Sequence, residues 1–112
     1  MTDGYGYTRR SPFTENNETL YFEIIQSLTP YKGNYTNLFI HQLLQRKNKL
    51  GYKCYTDTEF TEEVEEIIYN LLRWGVLNSI NGVLFKTEKI PLGEDMRVHL
   101  QHYQRLDDEE IG

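Results

Sequence analysis

The chain has few residues that could crosslink, kink or anchor it. Cys54 is the only cysteine in 112 residues, so no internal disulfide can form. It reads as a small half-buried apolar side chain in a reducing compartment. Histidine occurs three times, as His41, His99 and His102. His99 and His102 lie three apart on a candidate helix, without a cysteine or an acid at ligand spacing, so neither a metal site nor a cofactor is expected. Uninterrupted apolar runs stop at triplets such as Leu38-Phe39-Ile40 and Val83-Leu84-Phe85, far short of the roughly 20 residues that cross a bilayer. The opening MTDGYGYTRRSPF lacks the apolar stretch of a secretory signal. A cytoplasmic location away from the membrane is therefore expected, and Asn17-Glu18-Thr19 and Asn34-Tyr35-Thr36 are chance glycosylation triplets. Nucleophile elbows, Gly-rich phosphate loops and HExxH patterns are missing too. The carboxylates run consecutively along one helix or in a tail and do not converge, so an enzyme is not expected.

Charge is present, and it is sorted. The net charge is −5. From Ile24 to Thr56 the only charges are Lys32, Arg46, Lys47, Lys49 and Lys53, a segment of +5. Directly after it, Asp57, Glu59, Glu62, Glu63, Glu65 and Glu66 put −6 into ten residues. Residues 91 to 112 add six acids against Arg97 and Arg105. A chain this dipolar presents different faces to different partners.

The length suits a single core. Residues 1–15, which carry Gly, Tyr, Thr, Ser and Pro with no apolar period, read as a flexible arm. A first helix opens with Asn17 as its cap and buries Leu20, Ile24, Ile25 and Leu28 before Thr29-Pro30 ends it. After the connector Tyr31-Lys32-Gly33-Asn34, a second helix opens at Asn34 or Thr36 and runs to about Lys49, with Leu50-Gly51 closing it. The third helix is the clearest: Phe60, Val64, Ile67, Ile68, Leu71 and Leu72 form a stripe of period 3.6. Its start is either Thr56 with Glu59, or Thr61 with Glu62 and Glu63; Trp74 and Gly75 close it. Val76 to Ile80 and Val83 to Thr87 then read as two strands joined by Asn81-Gly82, the pair suited to a type I′ turn. Opposing Ile80 to Val83 puts Val76, Ile80, Val83 and Phe85 on the expected inward face. Glu94 to Leu106 reads as a last helix with Met96, Leu100 and Tyr103 on one side.

The expected fold is therefore mainly α with a small β-hairpin: an arm at 1–15, a domain at 16–90 and an acidic helix or tail at 91–112. Over roughly residues 17–89 the order of elements resembles the winged-helix class of helix-turn-helix domains. So does the junction Leu71-Leu72-Arg73-Trp74-Gly75-Val76-Leu77, which looks like that family's passage from recognition helix to wing. The resemblance implies a third helix in the DNA major groove and a wing on the backbone or minor groove. The glutamates of this third helix depart from that pattern, since carboxylates facing a polyanion are repelled.

Two functions follow. The first is a small DNA-binding regulator, dimeric through its last helix. It would contact double-stranded DNA through a basic loop (Arg46, Lys47, Lys49, Lys53), a wing (Lys86, Lys89) and the arm (Arg9, Arg10). The second is an adaptor or inhibitor of the kind found among small acidic phage or viral proteins. It would dock a basic protein surface through Glu59, Glu62, Glu63 and Glu66, with Tyr52 and Tyr55 as interface aromatics. Tyr21 and Tyr69 read as ordinary boundary-layer tyrosines.

Overall fold

A computed structural model describes residues 11–90 and 95–111. Helices α1 (Glu18–Gln26), α2 (Thr36–Leu44) and α3 (Asp57–Arg73) precede the hairpin of β2 (Leu77–Ile80) and β3 (Val83–Lys86), and α4 (Met96–Ile111) follows. A two-residue strand, β1 (Asn34–Tyr35), pairs with β3, so the antiparallel sheet has the order β1-β3-β2. The protein is mainly helical with a small sheet, an α+β architecture. Among the described residues no helix is long and apolar enough to cross a membrane.

Helix α3 is the axis of the core. Phe60, Val64, Ile67, Ile68 and Leu71 are all buried, and each contributes about 1.5–3 kcal/mol by leaving water. Its start is the first of the two candidates. Thr56 accepts the Glu59 backbone N–H at 3.0 Å, and Glu59 accepts the Thr56 N–H at 2.9 Å, a reciprocal capping box. Its end is a Schellman closure. Val76 N–H donates to Leu71 C=O at 2.9 Å and Gly75 N–H to Leu72 C=O at 3.1 Å, which requires the φ of +79° that Gly75 adopts.

The hairpin has the expected register, Ile80 against Val83, and the opposite face turns inward. Leu84 on the central strand is buried and Leu77 nearly so, whereas Ile80 is 54% exposed. Val76 is also buried, but it belongs to the closure of α3 and the ladder begins only at Leu77. Its parity therefore does not carry into the strand, and Val83 and Phe85 end up half-buried on the outer side with Ile80.

Residues 11–15 and helix α4 join the core more fully than their composition suggests. Residues 11–15, expected in a flexible arm, are held down: Phe13 is buried edge-on to Tyr21 at 5.1 Å, and its N–H donates to Gln104 on α4 at 2.9 Å. One aromatic ring suffices, and a single ring leaves no periodic signal. Asn17 does not cap α1 with its side chain. Its amide instead binds this incoming segment, accepting from Thr14 N–H at 2.9 Å and donating to Pro12 C=O at 2.8 Å. Helix α4 runs beyond Leu106 to Ile111 and seats Met96 and Leu100 in the core, with Tyr103 against it. The side of the last helix that was expected to be apolar is thus packed within the chain.

The inward face of the hairpin can be checked by denaturant unfolding. Leu84→Ala should cost about 2–5 kcal/mol, as cavity-forming core truncations do. Ile80→Ala should stay within about 0.5 kcal/mol. Comparable losses at the two positions would contradict the register and its face.

Candidate functional site

The cations expected at an interface divide into engaged and free. Lys86 is buried at 6% exposure. Its ammonium donates to the carbonyls of Thr87 and Ile90, and burial lowers its pKa. It braces the chain leaving the hairpin and does not face outward. The wing contact expected of it is corrected, because the strand face containing it is the inner one. Lys89 reaches back to donate to Trp74 C=O at 3.0 Å and lies 5.3 Å from the Tyr103 ring centre. Arg46 pairs with Glu23. Lys47 donates to Tyr55 C=O and lies 3.4 Å from Asp57. Arg9 and Arg10 fall outside the described residues.

Arg73 is also committed. Its guanidinium meets Asp107 of α4 through two hydrogen bonds, at 2.6 and 3.2 Å, and donates to Asn70 at 3.1 Å. Asp107 accepts Trp74 Nε1–H as well, at 3.0 Å. The network continues through Asn70, which donates to the Tyr21 hydroxyl at 3.1 Å, and through Tyr21, which donates to Ser11 C=O at 2.7 Å. Tyr21 is fully buried, not a boundary residue, because this chain of bonds satisfies its hydroxyl.

Among the described residues, Lys32, Lys49, Lys53 and Arg105 are exposed cations whose side chains make no ion pair or hydrogen bond. Three of these four flank α2. Helix α2 ends at Leu44, short of the expected Lys49, and turns bonded mostly three residues back carry the chain on to Leu50. Tyr35, Leu38 and Gln42 are spaced to share one side of the helix, and Gln45 and Lys49 follow them in the turns. All five are exposed and no carboxylate interrupts them. This stripe is continuous with the outer face of the sheet: Tyr35 is the register partner of Val83, and Val83 that of Ile80. The junction is fixed where the Thr36 N–H and hydroxyl both donate to Gly82 C=O in the hairpin turn, at 3.0 and 3.1 Å. The helical pattern of the sequence places Leu38 with Phe39, Ile40, Leu43 and Leu44 on the core side of α2, whereas Leu38 is 48% exposed because the face it occupies meets no neighbouring element, and the expected sites include none of Lys32, Tyr31 or Tyr35. The available signal was the run of residues 24–56 without any acid.

The opposite electrostatic face is on α3. Thr58, Glu62, Glu65 and Tyr69 are exposed at helical spacing. Asp57, Thr58, Thr61, Glu62 and Glu65 line a shallow cleft of about 350 Å³. The rest of the acidic set is otherwise occupied. Glu59 is in the capping box. Glu63 and Glu66 lie 2.8 and 2.6 Å from the Ser11 hydroxyl, whose one proton serves one carboxylate at a time. Tyr52 is buried against Phe60, with ring centres 5.4 Å apart, so of the two interface tyrosines only Tyr55 remains at the surface. Cys54 is exposed rather than half-buried.

The chain matches no family model, no curated protein and no solved structure.

Burial pushes the Tyr21 hydroxyl well above its ordinary pKa of 10.0, with Glu63 acting in the same direction. Burial raises Tyr52 likewise. An acid whose pKa is higher folded than unfolded stabilises fully below the unfolded value and loses that contribution as pH rises past it. Stability should therefore fall as pH climbs through 10.0. Thermal or denaturant melts across that range should show a shallower fall for Tyr21→Phe and for Tyr52→Phe, with Tyr21→Phe starting less stable because it loses the hydroxyl's hydrogen bonds.

Proposed function

We propose that this is a small winged-helix-like DNA-binding regulator that grips the DNA backbone through α2 and the loop after it, not through the α3 face. The observation that carries the reading is the placement of the free cations. Lys32, Lys49 and Lys53 flank an exposed stripe without carboxylates, while Lys86 and Lys89 are turned to the chain itself. Lysines on phosphates supply affinity without sequence information. The element order α1-α2-α3-hairpin supports the winged-helix comparison. The acidic stripe of α3 weighs against groove reading by that helix, since it would bring Glu62 and Glu65 against phosphates.

That same stripe favours a second reading, an adaptor that docks a basic protein surface on Asp57, Glu62 and Glu65. Titration of labelled duplex by anisotropy separates the two. DNA binding should tighten as salt falls, and each of Lys32→Ala, Lys49→Ala and Lys53→Ala should flatten the salt slope by about one. No binding of either duplex or single strand at low salt would defeat the DNA reading. In that case capture of a lysine-rich peptide, lost in Glu62→Lys/Glu65→Lys, is the result expected of the adaptor.

A further inference from the structure

The corner where the sheet meets α2 carries more apolar and aromatic surface than phosphate gripping needs. Tyr31 is 88% exposed, Tyr35 65%, Ile80 54% and Leu38 48%. Tyr35, Val83 and Ile80 form one row across all three strands. The Phe85 ring lies over Gly33, where a Cβ would come within 2.8 Å of it and within 2.5 Å of Val83. A backbone without a side chain at that point therefore lets these two residues lie flat along the outer face. Lys32, exposed and unpaired, sits between Tyr31 and Gly33 in the chain, and Lys49 ends the stripe of α2.

Exposed aromatic rings flanked by free lysines, in a stretch of chain without acids, match the chemistry of unstacked nucleotides: base on ring, phosphate on ammonium. Duplex DNA keeps its bases stacked and would leave these rings unused. Resting on the DNA-binding reading above, we infer that the surface formed by Tyr31, Tyr35, Leu38, Ile80 and Lys32 binds single-stranded DNA, with bases stacking on the two tyrosines and the strand running along α2 toward Lys49. The charge argues for this occupant. Its residues carry one positive charge, Lys32, and no negative one, whereas a basic protein partner would be directed to the α3 side.

The test compares anisotropy titrations of a short labelled oligothymidylate with a duplex of equal length, at low and moderate salt. Oligothymidylate should bind several-fold more tightly than the duplex. Tyr31→Ala and Tyr35→Ala should each weaken the single strand about tenfold, in the range measured for loss of a stacked base, and leave duplex affinity nearly unchanged. Tyr35→Phe, which keeps the ring and guards against a folding artefact at the start of α2, should retain single-strand binding. Equal or tighter binding of duplex, or tyrosine variants without effect on the single strand, would overturn this inference while leaving the DNA reading standing. Failure of both probes at low salt would defeat the DNA reading itself, and this inference with it. Tighter binding of oligouridylate would overturn the assignment to DNA. A concentration-dependent dimer abolished by Tyr35→Ala, with DNA affinity unchanged, would give the surface to a second copy of the chain.

Discussion

Trp74 is the point on which the separate elements converge. Its ring stacks on Tyr21 of α1 and on Tyr103 of α4, with centres 6.2 and 5.9 Å apart. Its Nε1–H is held by Asp107, and its carbonyl accepts from Lys89. It is also the last residue before the left-handed Gly75 that turns α3 into β2. The turn is further secured by the Thr87 hydroxyl, which lies 2.7 and 3.0 Å from the carbonyls of Gly75 and Val76 and donates its one proton to either. One buried indole thus fixes α1, the hairpin and α4 relative to α3. Large aromatic side chains combine much buried area with a polar edge that needs a partner, so they set orientation as well as proximity.

Fixing that corner determines which charges remain available. Lys86 is consumed in bracing residues 87–90 after β3, through the Thr87 and Ile90 carbonyls. Lys89 and Arg73 are drawn to the α3–α4 seam. The bidentate Arg73–Asp107 pair is partly sheltered from solvent, with Asp107 only 13% exposed, and such pairs are stronger than fully solvated ones. What remains outward is separated by sign: free lysines beside α2, carboxylates along α3. The two sets belong to successive helices, with the Lys47–Asp57 pair where they meet and Arg105 apart from both on α4.

Much of the framework was legible before the structure. The stripe from Phe60 to Leu72 has the period of a helix buried on one side, and Gly75 followed by two β-compatible runs around Asn81-Gly82 specifies a corner and a hairpin. These are local patterns, repeated or chemically specific enough to survive without tertiary context. Phe13, Asn17 and β1 were not legible for the opposite reason. Phe13 and β1 act through one or two long-range partners, Gln104 for Phe13 and Leu84 with Val83 for Asn34 and Tyr35. The Asn17 amide turns from the helix to the backbone of residues 12 and 14 just upstream, a choice between two nearby sets of backbone groups that residue type alone does not make. A two-residue strand has no periodicity to read.

By itself the sequence determined the order and type of the main elements, the alignment of Ile80 with Val83, and the segregation of charge, because propensity, turn chemistry and composition are properties of neighbouring residues. Only the tertiary structure decided which side of the hairpin faces the core and which cations stay free. Strand parity depends on where the ladder begins, and that is set by how α3 closes at Gly75. The freedom of a lysine depends on which carbonyls and carboxylates distant segments bring to it. Lys86 and Lys32 are alike in composition and opposite in exposure, and that contrast follows from packing alone.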